Sequence, residues 1–222
     1  MERDTFWEAT RYLVVGVRAG EDGEHIHIRL RTQEESGKMT RLFSLRVEEY
    51  AALPLRPAVG AWLSCEAARA IADAADASAA YGRGLSILGY GANSARRLEQ
   101  KLTSKGYDKE VAARAVRALS DRGYLQEARD ACRMARQILR RGRGMRRILQ
   151  ELRAKGYGDA ALEAVREELA SEDFVALCAQ VAQKKCRTMP ADREQREKLA
   201  AYLLRCGFDA AQIRAAMQNA WR

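Results

Sequence analysis

Hydrophobic and polar positions alternate in three short runs near the start of the chain, at residues 12–17, 25–30 and 41–47. This period of two is typical of β-strands with one buried face. Polar stretches that contain glycine, at residues 18–24 and 34–38, fit two connecting hairpin loops. Pro54 and Pro57 mark a further loop. We therefore predict a small antiparallel β unit over residues 1–64.

From Cys65 onward, Ala, Leu and Arg dominate, and this composition favours helices. A first helix is predicted from Cys65 to Ala80, with the Gly82-Arg83-Gly84 stretch as a candidate interruption. Asn93 or Ser94 is expected to cap the helix that leads to Lys105. Further helices are predicted over residues 109–122, 126–140, 145–155, 159–170, 172–185, 193–206 and 209–220.

A six-residue motif, which runs from a leucine through a glycine to an aromatic residue, occurs three times in this helical region, at residues 102–107, 152–157 and 203–208. Its glycines are Gly106, Gly156 and Gly207, so the intervals are 50 and 51 residues. A fixed period of this size is typical of stacked copies of one supersecondary unit. We predict three tandem three-helix repeats that form an elongated curved stack over residues 65–222, with copies at about residues 70–124, 125–170 and 171–222.

The motif also predicts how each copy turns. A glycine just after a helix end adopts the left-handed conformation without a Cβ penalty. In that geometry the following aromatic residue packs on the leucine four positions before the glycine. The aspartates that come next are expected to cap the following helices, and these are Asp108, Asp159 and Asp209.

At 222 residues and 47% hydrophobic content, the chain is long enough for one or two domains with a buried core. No apolar run approaches the ~18 residues of a membrane helix, and the start at residues 1–4 does not resemble a secretory signal. The five cysteines have no paired spacing: Cys65, Cys132, Cys178, Cys186 and Cys206. This usage is typical of a reduced, cytoplasmic protein with buried thiols.

The net charge of +9 is unevenly distributed along the chain. Residues 1–64 hold nine Lys and Arg against ten Asp and Glu, whereas residues 65–222 hold thirty against twenty. Residues 129–155 are especially basic, with ten Lys and Arg and only two acids. Because like charges at this density repel one another, we expect a polyanionic partner such as nucleic acid.

Helical spacing selects the candidate contacts with nucleic acid or with a protein–nucleic acid complex. At 100° per residue, one band of roughly 60° on a helix holds Arg129, Arg133, Arg136 and Arg140, opposite an apolar stripe. The arginines continue through a glycine-flanked corner as Arg141, Arg143, Arg146 and Arg147. A second basic cluster consists of Lys184, Lys185 and Arg187. The alternatives are a solvated face for the first group, and cations that stabilise a helix C-terminus for the second.

Residues suited to catalysis are largely missing from the sequence. His25 and His27 lie two apart on a predicted strand without a third ligand, so exposed strand positions are favoured over a metal site. No nucleotide phosphate-loop motif occurs, and the helical region has no histidine to activate a cysteine. We expect no enzymatic activity, no metal and no cofactor. Tyr107, Tyr124 and Tyr157 follow glycines and are predicted to pack in the core.

Taken together, these phrases resemble the RecX family of bacterial recombination regulators over about residues 70–221. The resemblance is carried by Leu102-x-x-Lys105-Gly106-Tyr107, Gly123-Tyr124-Leu125-Gln126-Glu127, Gly144-Met145-x-x-Ile148-x-x-Glu151-Leu152-x-x-Lys155-Gly156-Tyr157, and Lys184-Lys185 with Leu203-Leu204-x-x-Gly207-Phe208. The chain departs from the family pattern at Gln126-Glu127, where an Asn or Asp followed by Asp is usual. The β unit resembles an amino-terminal extension of some members.

The resemblance implies a non-enzymatic modulator, mainly an inhibitor, of the RecA recombinase. Such proteins lie in the groove of the RecA–DNA filament and limit strand exchange, ATP hydrolysis and co-protease activity in the SOS response. The implied partners are the RecA filament and single- and double-stranded DNA, with no role for a membrane. Two other hypotheses remain: a stand-alone basic DNA-binding or architectural protein, and a helical scaffold that binds only proteins.

Overall fold

The computed structural model describes residues 5–33 and 39–221. Four strands form one antiparallel sheet in the order β3-β2-β1-β4. Their bounds are Arg11–Ala19 for β1, His25–Thr32 for β2, Thr40–Arg46 for β3 and Trp62–Ser64 for β4. The predicted small antiparallel sheet is confirmed, whereas the expected loop at 34–38 and the chain start at 1–4 lie outside the described residues.

Two short helical elements, which the alternation pattern does not predict, accompany the sheet. A 3-10 turn at Thr5–Glu8 precedes β1, and helix α1 at Val47–Ala51 follows β3 directly. The alternation predicts a strand up to Val47, but Glu48 and Glu49 occupy the first turn of α1. Carboxylates are favourable there because they face the positive end of the helix dipole.

Helix α2, Cys65–Gly89, covers one face of the sheet. The core between them is formed by alternate strand residues and one stripe of α2, among them Tyr12, Val14, Ile28, Leu30, Phe43, Leu45, Ala68 and Ile71. The buried Tyr12 hydroxyl is satisfied because it donates a hydrogen bond to the carbonyl of Phe6 at 3.0 Å. The buried face of the strands, with its period of two, thus packs against the buried stripe of α2, with its helical period, in one core.

Helix α2 runs without a break for 25 residues, so the expected interruption at Gly82-Arg83-Gly84 is wrong. Gly84 is buried, and a Cβ built there would lie 2.6 Å from Cδ1 of Leu119. Leu119 belongs to helix α4, Lys109–Asp121. The glycine therefore allows α4 to approach α2 closely instead of ending the helix.

The remaining helices match the predicted positions within a few residues at each end. They are α3 at Ala95–Thr103, α5 at Glu127–Arg140, α6 at Met145–Ala154, α7 at Asp159–Glu168, α8 at Phe174–Lys185, α9 at Arg193–Cys206 and α10 at Ala210–Asn219. Helices α2 to α10 thus form three successive groups of three helices, and the bounds of the copies stay a prediction. No helix in the described part of the chain is long and apolar enough to cross a membrane.

The three repeated glycines end their helices as predicted. Gly106, Gly156 and Gly207 have φ of 95°, 85° and 98°. In each corner the amide of the following aromatic residue donates to the leucine carbonyl five positions before it, at 3.2–3.3 Å. The glycine amide itself donates to the carbonyl three positions before it, at 2.9–3.0 Å. These two bonds define the Schellman motif.

The aspartates after these corners do not all cap helices as expected. Asp209 caps α10 in a reciprocal capping box with Gln212. Asp108 occupies the cap position of α4 but makes no side-chain cap bond. The prediction that Asp159 caps α7 is wrong, because Gly158 holds the cap position and Asp159 is the first residue of the helix. Asp159 therefore acts on the helix only through its charge in the first turn.

By its contacts, the chain divides into two compact units. The first comprises Met1–Gly91 and Leu98–Tyr124, and the second comprises Ala92–Arg97 and Leu125–Arg222. The first helical copy therefore clusters with the sheet. The predicted division after residue 64 follows the change from strands to helices, and as a domain boundary it stays a prediction.

Within the second unit, each Gly-aromatic corner packs on the start of a helix in the preceding copy. Ser94, before α3, donates to the carbonyl of Lys155 at 2.8 Å and accepts from the amide of Arg97. At the next junction, the amide of Gly144, before α6, donates to the carbonyl of Cys206 at 2.9 Å. The repeated corner thus serves two purposes, since it ends a helix and joins neighbouring copies.

Two predictions about single side chains need correction. Tyr157 is buried and Tyr107 half-buried, but Tyr124 is 54% exposed and is wrong as a core residue. Of the five cysteines, Cys178 and Cys206 are buried and the other three are half-buried, and all are free thiols. Burial raises the pKa of the Cys178 thiol to about 11, which keeps it protonated and unreactive at neutral pH.

Candidate nucleic-acid interface

The four arginines predicted to share a face of α5 do so in the structure. Arg129, Arg133, Arg136 and Arg140 are all exposed, while Ala131, Ala135 and Ile138 of the same helix are buried. The helical periodicity of the sequence therefore places the cations and the apolar stripe correctly.

Acids of α5 itself and of the neighbouring α7 balance part of this arginine face, and the contribution of α7 is not visible in the sequence. Arg136 forms an ion pair with Glu168 of α7, and Arg133 pairs with Asp130 at 2.8 Å. Glu167 and Glu168 line the same shallow groove as the four arginines. Because these acids lie about thirty residues away along the chain, counting charges within 129–155 overestimates the local positive charge.

The two basic clusters of the sequence meet beyond the end of α5. Arg140, Arg141 and Arg143 line a cleft of about 460 Å³ together with Lys184 and Lys185 of α8, and we call this feature the basic cleft. The other lining residues are Leu139, Gly142, Leu177, Gln180, Val181 and Tyr202. All of these residues lie in the described part of the chain, and none of them is acidic. The basic cleft therefore concentrates five positive charges without a neutralising carboxylate in its wall.

Close packing of a glycine brings the two clusters together. Gly142 has φ of 73°, and a Cβ built on it would lie 2.7 Å from Cγ2 of Val181 in α8. The corner after α5 can therefore lie directly against α8, one turn before the two lysines. A larger residue at position 142 would push the corner arginines away from Lys184 and Lys185.

Specific contacts orient the cations in the basic cleft. A guanidinium nitrogen of half-buried Arg143 lies 3.4 Å from Sγ of buried Cys206. Nζ of Lys185 lies 5.3 Å from the ring centre of Tyr202, within the range of a cation–π contact. A hydrogen bond to Cys206, together with burial, raises the pKa of Tyr202. The cleft thus offers charge, an aromatic surface and hydrogen-bond donors.

Of the eleven predicted contact residues, six lie outside the basic cleft. Arg129, Arg133 and Arg136 lie along the groove with the acids. Arg147 is half-buried and pairs with Glu151 at 2.8 Å. Arg146 and Arg187 are exposed, and they do not line the cleft. Gln180 is a lining residue that charge counting misses, although its position one turn before Lys184 on α8 is a signal for it.

The histidines form no metal site within the described residues. Nδ1 of His25 lies 2.6 Å from a carboxylate oxygen of Asp22, across the hairpin turn between β1 and β2. The hydrogen bond from His25 is the main cause of the lowered pKa of Asp22. Among residues 5–33 and 39–221, no group of three His, Cys, Asp or Glu side chains is arranged to hold a metal ion.

Known proteins resemble this chain in both sequence and fold. The family model for the third three-helix domain of RecX matches residues 171–217, which is the third copy. Regulatory protein RecX of Halorhodospira halophila is 35% identical over 133 residues, which cover 60% of this chain and 82% of that protein. Regulatory protein RecX of Vibrio cholerae is 34% identical over 135 residues, with 88% of its length covered.

Two solved structures share the fold. A crystal structure of regulatory protein RecX aligns over 94% of this chain and all of that chain, with a TM-score of 0.72 and 19% identity. The crystal structure of RecX from Lactobacillus salivarius covers 65% of this chain and 96% of that chain, with a TM-score of 0.59 and 22% identity. Because relatives above 30% identity are covered over most of their length, the chain belongs to the RecX family.

Proposed function

We propose that this protein is a non-enzymatic modulator, mainly an inhibitor, of the RecA recombinase. It binds in the groove of the RecA–DNA filament, with auxiliary affinity for DNA, and so regulates recombination, DNA repair and the SOS response. Family membership supports the choice of partner, since the matched relatives are named regulatory protein RecX. A partner on the chromosome implies that the protein works in the cytoplasm.

The basic cleft is the single observation that carries this proposal. Five Lys and Arg side chains converge there without an acid in the lining. Cations that neutralise phosphates release counterions and gain affinity that does not depend on base sequence. A filament of protein and DNA presents such phosphates repeatedly, so one cleft can engage it at many equivalent positions.

The arginine face of α5 has a secondary role in the proposal. Arg133 and Arg136 already have carboxylate partners, and these pairs must open before the arginines bind phosphate. Exposed ion pairs are weak, at about 0–1 kcal/mol, so opening them costs little but reduces the gain from each contact. We therefore expect the cleft to contribute more to binding than the α5 face.

Titrating the protein into a RecA ATPase assay on single-stranded DNA tests the proposed function. A protein that binds along the groove touches several recombinase subunits, so ATP hydrolysis should fall at amounts below one per subunit. ATP hydrolysis that is unchanged at several-fold excess would refute the proposal. Tight DNA binding with no effect on ATP hydrolysis would instead favour a stand-alone DNA-binding or architectural protein.

A further inference from the structure

The sheet of the first unit has one covered face and one open face. Strand alternation turns Tyr12, Ile28 and Leu45 towards α2. The opposite face carries apolar side chains that are exposed to solvent. Leu42 of β3 is 56% exposed, and Trp62 of β4 is 47% exposed. These two side chains lie on the two edge strands of the sheet, so the face between them is a candidate binding surface only together with the groups that separate them.

The open face is also one-sided in charge. It carries Arg11 and Arg18 of β1 together with Arg29 and Arg31 of β2, while none of the four strands contains Asp or Glu. The near-neutral composition of residues 1–64 conceals this asymmetry, because the acids of this segment that the structure describes lie outside the strands. A polyanion is the complementary partner for such a face.

Strand register interleaves the cations with the apolar groups. Arg31 pairs with Leu13, and Leu13 pairs on its other side with Trp62. In a parallel row, Arg29 lies between Leu42 and Gly16. Neighbouring strands lie about 4.8 Å apart, so each arginine is within reach of an apolar or aromatic surface.

A bulge shapes part of the open face into a groove. The register of β1 and β2 shifts between Val14 and Gly16. A groove of about 590 Å³ lies here, lined among others by Arg18, His27, Arg29 and Leu42. Glu21 and Asp22 line the hairpin end of this groove, where Asp22 is already bound to His25.

We propose that this open face binds single-stranded DNA. Arginines bind the phosphates while unpaired bases stack on Trp62 and lie against Leu42, an arrangement that a duplex with its bases paired inside does not permit. The choice of DNA over RNA rests on the proposed function, whereas the location of the site does not. The residues of the open face belong to the first unit, whereas those of the basic cleft belong to the second.

Fluorescence of Trp62 tests this proposal in the full chain without recombinase. A short oligothymidylate should quench the emission, and Trp62→Phe should abolish that change while Trp7 and Trp221 remain. Arg29→Gln with Arg31→Gln should weaken binding about tenfold and make the slope of log affinity against log salt shallower by about 1.4, since each contact on single strands contributes about 0.7. The matched control is Arg69→Gln with Arg83→Gln, two exposed arginines of α2 that remove the same charge.

Equal weakening by the two arginine pairs would refute the open face, because only net charge would then matter. Unchanged Trp62 emission at saturation would refute it as well, and tighter binding of the matching RNA would overturn the choice of DNA. Thermal unfolding of each variant should match the original protein. The proposed function fails separately, through an absent effect on ATP hydrolysis, since the fluorescence titration contains no recombinase.

Discussion

At the scale of single residues, glycines decide how closely the helical copies meet. A Cβ on Gly207 would lie 2.4 Å from the amide nitrogen of Arg147, and a Cβ on Gly144 would lie 2.4 Å from the carbonyl oxygen of Gly207. Real Cβ atoms do not approach other atoms this closely. The third copy therefore contacts the second through backbone at a place where neither side can carry a side chain.

Gly207→Ala should destabilise the protein more than Gly106→Ala. Both positions have a positive φ near 95°, which costs an alanine about 1–2 kcal/mol. A Cβ on Gly106 has open space around it, whereas one on Gly207 meets backbone and adds about 1–3 kcal/mol of overpacking. Urea unfolding measures the difference. Equal losses at both positions would show that the copies do not pack through Gly207.

At the scale of elements, α2 shows that glycines within a helix have different effects at different positions. Gly82 is exposed, and a methyl group added to it would meet open space, while Gly84 is buried against Leu119. Gly82 lowers helix stability without compensation, because glycine has a large conformational entropy when unfolded. Gly84 has the same effect but permits contact with α4.

Gly82→Ala should stabilise the protein by about 0.5–1 kcal/mol, and Gly84→Ala should not. The new methyl group at position 84 would lie 2.6 Å from Cδ1 of Leu119, a fully buried side chain with little room to move. Chemical denaturation of the two variants measures both effects. Stabilisation by both substitutions would mean that α2 and α4 are not closely packed at Gly84.

The sequence predicts most elements because local signals agree with the fold at those places. The Gly-aromatic corners combine a helix end with a specific hydrogen-bond pattern, and all three form as expected. Some predictions fail because the sequence does not show which distant residues come into contact. Gly84 packs against Leu119 within a continuous α2, and Glu168 reaches the arginine face from another helix. The basic cleft could not be predicted from the charge count alone, because it also depends on the packing of Gly142 on Val181.

At the scale of the whole molecule, the excess of positive charge is concentrated rather than uniform. The first 64 residues are nearly neutral, and part of the α5 face is paired with acids. The basic cleft is where cations of two sequence clusters converge without an acid in the lining. Electrostatic binding to a polyanion should therefore depend more on the cleft than on the net charge of +9.

The salt dependence of DNA binding measures directly how much of the positive charge that binds DNA lies in the cleft. We define the cleft variant as Arg141→Gln with Lys184→Gln and Lys185→Gln, and the face variant as Arg129→Gln with Arg133→Gln and Arg136→Gln. On single strands, each lost phosphate contact makes the logarithmic slope shallower by about 0.7. We expect a change of about two units for the cleft variant and a clearly smaller one for the face variant. A larger change for the face variant would contradict this assignment.

The most direct test of the account compares the cleft variant with a matched control in the RecA ATPase assay on single-stranded DNA. The control is Arg193→Gln with Lys198→Gln and Arg214→Gln, which removes three exposed cations of the third copy that do not line the cleft. We expect the control to inhibit ATP hydrolysis as the original protein does, and the cleft variant to need at least about tenfold more protein for the same inhibition. Equal inhibition by the two variants, with both folded, would contradict the central role of the basic cleft.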